Sequence, residues 1–458
     1  MTIIDKSIFI LGLGISGMSL ARKLNFRKIN CWDDNSKIRD LAKREKLDIK
    51  EPNLDNLKIT DFLVLSSGIN HELANPHNAI VIAKSLGIPI ISDIELIHLL
   101  ELKNYLIGIT GTNGKSSTTK FITDSLRHKN FLDSQACGNI GIPFTELEIK
   151  DASVLVIECS SFQLSKIINL RFHISILLNI SSDHIDWHKT FKNYINSKEK
   201  IFKNQTSSDH AIICIDDKIC NNIAGQFKKK YKSNLIKISV KKKITDGIFL
   251  KESKSYITII NSISTDIIKI DKKSINLPIT KANLQNLLTT YTVSFILKQN
   301  TDFFIASLKN IKALKHRMEY IGKYKNISFF NDSKSTNVNS SISAIESYKN
   351  IFWILGGRKK IGGLSGVEKK LTNVLKSFTF GESGQEFKKF MEKCGIHSTY
   401  NKNLEKTIHE ATKEASQEKE QINIIFSPCA SSFDQFKNFE ERGNFFKKIV
   451  RKRVKIEK

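Results

Sequence analysis

Lys115 and Ser116 end the stretch Gly108-Ile109-Thr110-Gly111-Thr112-Asn113-Gly114, behind the apolar Tyr105-Leu106-Ile107 and ahead of Ser117-Thr118-Thr119-Lys120-Phe121-Ile122. The pattern predicts a strand, a tight loop and a helix. Glycines let a backbone wrap closely round a phosphate, the new helix aims unpaired amides and its positive dipole end at it, and Lys115 adds a full charge. The Ser116 hydroxyl is then placed to hold Mg²⁺. A strict phosphate loop asks for a glycine five residues before Gly114, where this chain has Ile109, so the loop is a near variant. Turn chemistry alone would also accept a plain helix start. The loop points to a nucleoside triphosphate and leaves the reaction open.

Three further clusters follow apolar runs that read as buried strands, where ligands gather in open α/β sheets. Glu158-Cys159-Ser160-Ser161-Phe162-Gln163 offers a carboxylate suited to Mg²⁺, directly or through water; a solvated strand end is the plainer alternative. Asn179-Ile180-Ser181-Ser182-Asp183-His184-Ile185-Asp186-Trp187-His188 packs two His and two Asp into six residues, a density that suits a hard metal or acid-base work better than turn chemistry alone. The third cluster combines His316-Arg317-Met318-Glu319, Asn331-Asp332-Ser333-Lys334-Ser335-Thr336-Asn337 and Gly356-Gly357-Arg358-Lys359-Lys360. Arg317 and Lys334 are types that neutralise phosphate, one as a fork and one as a point charge.

The elements that must carry these residues form an α/β rhythm. Ser7–Leu11 reads as a strand, Gly12-Leu13-Gly14-Ile15-Ser16-Gly17 has dinucleotide-fold glycine spacing, a helical stretch covers Met18–Leu24, and Asp33-Asp34 end a second strand about where a Rossmann unit holds a ribose hydroxyl. Taken alone, this loop favours a nicotinamide enzyme. Strands at 62–65 and 88–92 and a helix at 93–100 put the first boundary near residue 94. Strands near 154–157, 174–178 and 211–213, with a helix at 191–202, continue a parallel core. Residues 235–276 turn to short β-branched runs expected to pair antiparallel, before a helix at 282–297. The last part repeats the rhythm, with strands near 327–330, 351–355, 377–380 and 422–426 and a basic final helix from Phe436. The expectation is three domains: 1–94, 95–299 and 300–458.

Composition agrees with a multidomain globular chain of 458 residues, 40% hydrophobic. The net charge of +26 would suit nucleic acid, but the lysines are scattered among many Ile and Asn residues and lack interleaved aromatics, so solvated faces are the better reading. The same field favours an anionic substrate. Seven cysteines form no CxxC pair and no zinc spacing, as reduced cytoplasmic thiols would. The apolar run after Lys6 is broken by glycines and reads as strand and loop, not as a secretory leader. No run approaches the roughly 18 residues of a membrane span.

Gly111-Thr112-Asn113-Gly114-Lys115-Ser116, Glu158 to Gln163, Asp183-His184-Ile185-Asp186 with His188, His316 to Glu319 and Asp332 to Asn337 together resemble the Mur ligases, in order and spacing, across all three expected domains. The run Ser427-Pro428-Cys429-Ala430-Ser431-Ser432-Phe433-Asp434-Gln435-Phe436-Lys437-Asn438-Phe439-Glu440-Glu441-Arg442-Gly443 is similar to the branch of that family that adds D-glutamate.

The resemblance implies a fold of three α/β domains, Rossmann-like at both ends with a mononucleotide-binding centre. It implies ATP-driven ligation of D-glutamate to UDP-N-acetylmuramoyl-L-alanine through an acyl phosphate, with Mg²⁺, in cytoplasmic peptidoglycan precursor synthesis. The ATP contacts it implies are Gly111, Thr112, Asn113, Gly114, Lys115, Ser116, Ser117, Asn286, Arg317 and Asp332. Ser116, Glu158 and His184 would serve the metal, joined by Lys198 as a carbamate. Lys115, His184, Lys198 and Lys334 are the expected catalytic residues. Ile15, Ser16, Asp33, Asp34, Gly68 and Asn139 match the uridine nucleotide site, which displaces the nicotinamide reading. Thr336, Lys360, Ser432 and Phe439 match the D-glutamate site. A monomer without nucleic-acid or membrane partners is expected. The chain departs from the family in having Thr280-Lys281-Ala282-Asn283 where many relatives have Gly-x-His-Asn, and Ser181-Ser182 for a common Thr-Pro. Arg358-Lys359-Lys360 alters the glycine-glycine loop and leaves Lys360 and Lys359 as alternatives.

Overall fold

Strands buried on both faces read as unbroken apolar runs, and those runs build three sheets. The structure, a computed structural model, describes residues 4–360 and 362–453. The first sheet has β1 (Ile4–Leu11), β2 (Phe26–Trp32), β3 (Phe62–Leu65) and β4 (Ile90–Ser92), all parallel, in the order β2-β1-β3-β4. The helix behind the first glycine loop starts earlier than its apolar run, at Ile15–Lys23.

The second sheet holds β5 (Tyr105–Thr110), β6 (Ser134–Gly138), β7 (Val154–Glu158), β8 (Ile174–Leu177), β9 (His210–Cys214), β10 (Asn234–Ser239), β11 (Gly247–Glu252), β12 (Tyr256–Asn261) and β13 (Asp266–Asp271). Their order is β13-β12-β11-β10-β9-β8-β5-β7-β6. The antiparallel expectation for 235–276 holds only for β11-β12-β13; β10 runs parallel to both β9 and β11. The helix Lys218–Lys230 carries the chain back between β9 and β10, and a helical crossover restores the strand direction. The region therefore extends the second sheet. Gly108, midway along β5, lies against Phe172: a Cβ there would stand 2.6 Å from the ring. It is a packing glycine, and the glycine turn ahead of Lys115 begins three residues later.

The third sheet contains β14 (Glu319–Tyr324), β15 (Ile327–Asn331), β16 (Ile351–Gly356), β17 (Val374–Phe380), β18 (His397–Asn401) and β19 (Ile422–Phe426), in the order β14-β15-β19-β16-β17-β18. Only β14, paired with β15, runs antiparallel. The final helix, Phe439–Arg453, begins three residues beyond Phe436 because Asn438 caps it: the Asn438 side chain accepts from the Glu441 amide at 2.7 Å.

The chain forms two compact units. One holds the first two sheets with Gln285–Asn310, the other the third sheet with Ile275–Leu284. All seven cysteines are free thiols; six are buried and Cys394 is half-buried. Among the described residues no helix is long and apolar enough to cross a membrane.

Candidate functional site

The end of β5 turns through Gly111 to Gly114 into the helix Lys115–Arg127. Gly114 adopts φ +89°, a backbone conformation that favours glycine, and a Cβ there would meet Asn286 Oδ1 tightly, at 3.1 Å. Side chains pin the loop from behind. The Asn113 amide donates to Asn179 Oδ1 at 2.8 Å, Asn179 Nδ2 returns a bond to Asn113 O, and the Thr112 amide donates to Asn179 O. Thr118 Oγ1 donates to Asn286 Oδ1 at 2.9 Å, which sets Asn286 against the loop. Lys115 Nζ curls back onto the carbonyls of Gly111 and Thr112, at 2.9 and 3.0 Å. These are weak neutral acceptors, and a phosphate within reach would replace them with charge-assisted bonds.

Lys198, on the helix Phe191–Glu199, reaches the same carbonyl. Its Nζ donates to Gly111 O at 2.8 Å and lies 4.7 Å from the centre of the Tyr194 ring. The residue is 1% exposed; burial, and then the Lys115 charge, hold the amine well below the usual lysine range. An ordinary surface lysine is thereby ruled out. Glu158 ends β7 fully buried, with Oε1 accepting from Asn139 Nδ2 at 2.9 Å and Oε2 buried without a partner. A buried carboxylate oxygen lacking a donor suits a hard cation. Among the described residues no group of three or more His, Cys, Asp or Glu side chains is placed to hold a metal ion by itself, so Mg²⁺ here would rely on Glu158, the Ser116 hydroxyl, His184 and the ligand's own oxygens.

His184 sits at φ +54°, its ring edge-on to Phe162 at 4.8 Å and its Nε2 3.7 Å from Asp183 Oδ2. His188 behaves differently. It is fully buried, bonded to Ser161 Oγ at 2.9 Å, and burial, helped by His184 and Lys198, lowers its pKa to about 4. It is a neutral packing histidine that anchors the loop.

In the first sheet, Asp33 ties the glycine loop to the end of β2: its Oδ2 accepts from the Leu13 amide at 2.8 Å. Asp34 bonds the Trp32 and His77 rings. Gly12, at φ +91°, could not carry a Cβ without closing to 2.6 Å on Ser66. Beside this turn opens a groove of about 590 Å³, lined in part by Leu13, Gly14, Ile15 and Ile142. Ile15 is 74% exposed. Asn139 is bonded to Glu158 as described, and Gly68 lies in the turn after β3 with open space about it.

In the second unit, Asp332 leaves β15 fully buried. Its Oδ2 accepts from Ser335 Oγ and Ser427 Oγ, at 2.6 and 2.7 Å, and its Oδ1 from the Met318 amide at 3.1 Å. Burial raises its pKa to about 6 against those bonds and the Arg317 charge. Lys334 Nζ stands 3.7 Å over the Phe439 ring. His316 and the final helix meet: a Cβ on Gly443 would fall 2.2 Å from His316 Nδ1, so the glycine is what admits the ring. Ser432 is buried at the end of the β19 loop, and Thr336 is half-buried. Lys359 Nζ pairs with the Glu386 carboxylate. Asn179 was visible only as the polar residue closing an apolar strand, without a role; its part in bracing the loop emerges from the fold.

Residues 109–294 match the Mur ligase middle domain. Over the full chain, the fold resembles a UDP-N-acetylmuramate–alanine ligase of Thermotoga maritima at 14% identity, covering 98% of this chain and 100% of that one with a TM-score of 0.59. A MurF ligase from Thermotoga maritima in complex with ADP aligns at 17% identity over 88% and 98% of the two chains, TM-score 0.60. Matched middle domain and fold together are those of the Mur-type ligases. A UDP-N-acetylmuramoylalanine–D-glutamate ligase of Rickettsia felis is 34% identical over 98% of this chain and 97% of its own length. The chain belongs to that family, the D-glutamate-adding Mur ligases.

Proposed function

We propose that the protein uses ATP to join D-glutamate to UDP-N-acetylmuramoyl-L-alanine in the cytoplasm, acting as a monomer. The observation that carries this is the convergence of Lys115 and Lys198 on the Gly111 carbonyl at the phosphate loop, on a sheet whose Glu158 presents an unpartnered buried oxygen. Residues 1–94 hold the uridine nucleotide through Ile15, Ser16, Asp33, Asp34 and Gly68; residues 95–299 hold ATP; residues 300–458 supply the amino-acid site.

The alanyl carboxylate attacks the γ-phosphorus, ADP leaves, and the D-glutamate amine then displaces phosphate from the acyl phosphate. Two anions must approach in the first step, so charge neutralisation is the main task. Lys115 supplies it at the phosphates, with Ser117 and Asn286 supporting the loop; Arg317 and Lys334 add further positive charge, Lys334 where amine and acyl phosphate meet. Mg²⁺, held by Ser116, Glu158 and His184, would screen phosphate charge. The buried Lys198 amine, its pKa lowered by burial, is suited to add CO₂, forming an N–C bond and releasing a proton, and the resulting carbamate would be a further metal ligand. Thr336, Lys360, Ser432 and Phe439 surround D-glutamate. Asn139 acts through its bond to Glu158.

Phosphate release from ATP is the test: it is expected to require both UDP-N-acetylmuramoyl-L-alanine and D-glutamate. Equal rates with another amino acid, or release without the nucleotide sugar, would refute the reading. For Lys198, replacement by Ala should abolish turnover, and millimolar formate or acetate should restore part of it; no rescue would count against the carbamate.

A further inference from the structure

Arg442 lies in the C-terminal run, and its side chain hydrogen-bonds Ser333 and Ala430, neither of them assigned to D-glutamate. Its side chain is 0% exposed on the helix Phe439–Arg453. Nε donates to Ser333 Oγ at 3.1 Å, Nη2 to Ser333 O at 2.8 Å, and Nη1 to Ala430 O at 3.0 Å. Ser333 Oγ in turn donates to Phe439 O at 2.9 Å. A Cβ on Gly357 would stand 3.1 Å from Nη1, so the loop after β16 also lies against the guanidinium. One side chain thus gathers the loops at the ends of β15, β19 and β16. Its bonded neighbours precede Lys334 by one residue and Ser432 by two.

All three hydrogen bonds go to neutral oxygens. Among the described residues no carboxylate lies within ion-pair distance of Arg442; Asp434 acts on it only through its field. A staple needing hydrogen bonds alone could be neutral, whereas a buried cation without a paired acid costs several kcal/mol unless negative charge arrives from elsewhere. A ligand bearing two carboxylates would bring it.

We propose that Arg442 is a positioning residue for the dicarboxylate amino acid: it fixes the loop of Lys334 against the loop of Ser432 and lends the site positive charge without touching the ligand. The proposal rests on the D-glutamate reading above. Arg442→Met should raise the KM for D-glutamate at least about tenfold and lower kcat, with the KM for ATP within about twofold, because a misplacement near 1 Å can cost up to a hundredfold. Arg442→Lys keeps the charge with fewer bonds and should fall between Met and wild type. The loss should be smaller for D-glutamine, which lacks the second charge, than for D-glutamate. Thermal melting checks folding; if the Met variant does not fold, the Lys variant is read alone. A folded variant with wild-type D-glutamate KM and kcat, equal rises in both KM values, or equal losses for D-glutamate and D-glutamine would overturn the proposal. Wild-type enzyme that ignores D-glutamate would overturn the functional reading as well, which separates the two failures.

Discussion

At the scale of single residues, charge placement decides. Lys115→Ala removes the one phosphate-loop cation and should lower turnover about a thousandfold, by analogy with the loss of a single oxyanion donor, while leaving the melting temperature within a few degrees. Global unfolding would show that Lys115 has a structural task instead. Asp332 gives a pH signature. Its folded pKa of about 6 exceeds the ordinary 3.8, so the folded chain holds this proton more tightly than the unfolded chain. The stability it contributes is complete below pH 4 and is lost as pH rises to 6. Asp332→Asn cannot ionise, so its melting temperature relative to wild type should climb across that window and then level off. A flat difference would mean that the carboxyl titrates as in water.

At the scale of elements, the phosphate loop shows what a sequence exposes and what it hides. Gly114→Ala forces a side chain into φ +89° and against Asn286, and should cost about 1–2 kcal/mol of stability and weaken ATP use; an unaffected KM for ATP would show that the turn has other routes to its shape. The strand-loop-helix order around Lys115, Glu158 and His184 was legible because apolar runs end abruptly in Gly, Glu or Asn. β6 was not, since Ser134-Gln135-Ala136-Cys137-Gly138 has no β-branched residue and is a strand only because β7 lies beside it. Nor was the parallel pairing of β10, which depends on a crossover rather than on local pattern. His188 and Asn179 looked alike as polar residues in a dense cluster; burial separated the packing histidine from the loop brace. The bonds of Arg442 connect positions 109 and 12 residues away, beyond any periodicity.

At the scale of the whole molecule, the net charge of +26 acts on every substrate at once, since ATP, a nucleotide sugar and glutamate are all anions. The KM values should rise several-fold between about 0.05 and 0.5 M salt as the Debye length shrinks from roughly 14 to 4 Å. A salt-independent KM would assign binding to short-range contacts alone. The distribution of thiols has a practical consequence. Burial pushes Cys31, Cys137 and Cys429 up to about 12 and leaves Cys159, Cys214 and Cys220 buried too, whereas Cys394, just past the helix Gly384–Lys393, is within reach of solvent. The native chain should take up one equivalent of a maleimide dye and seven after denaturation. The natural sequence thus provides a single attachment point for a fluorescent or spin reporter on the second unit, with no cysteine to remove.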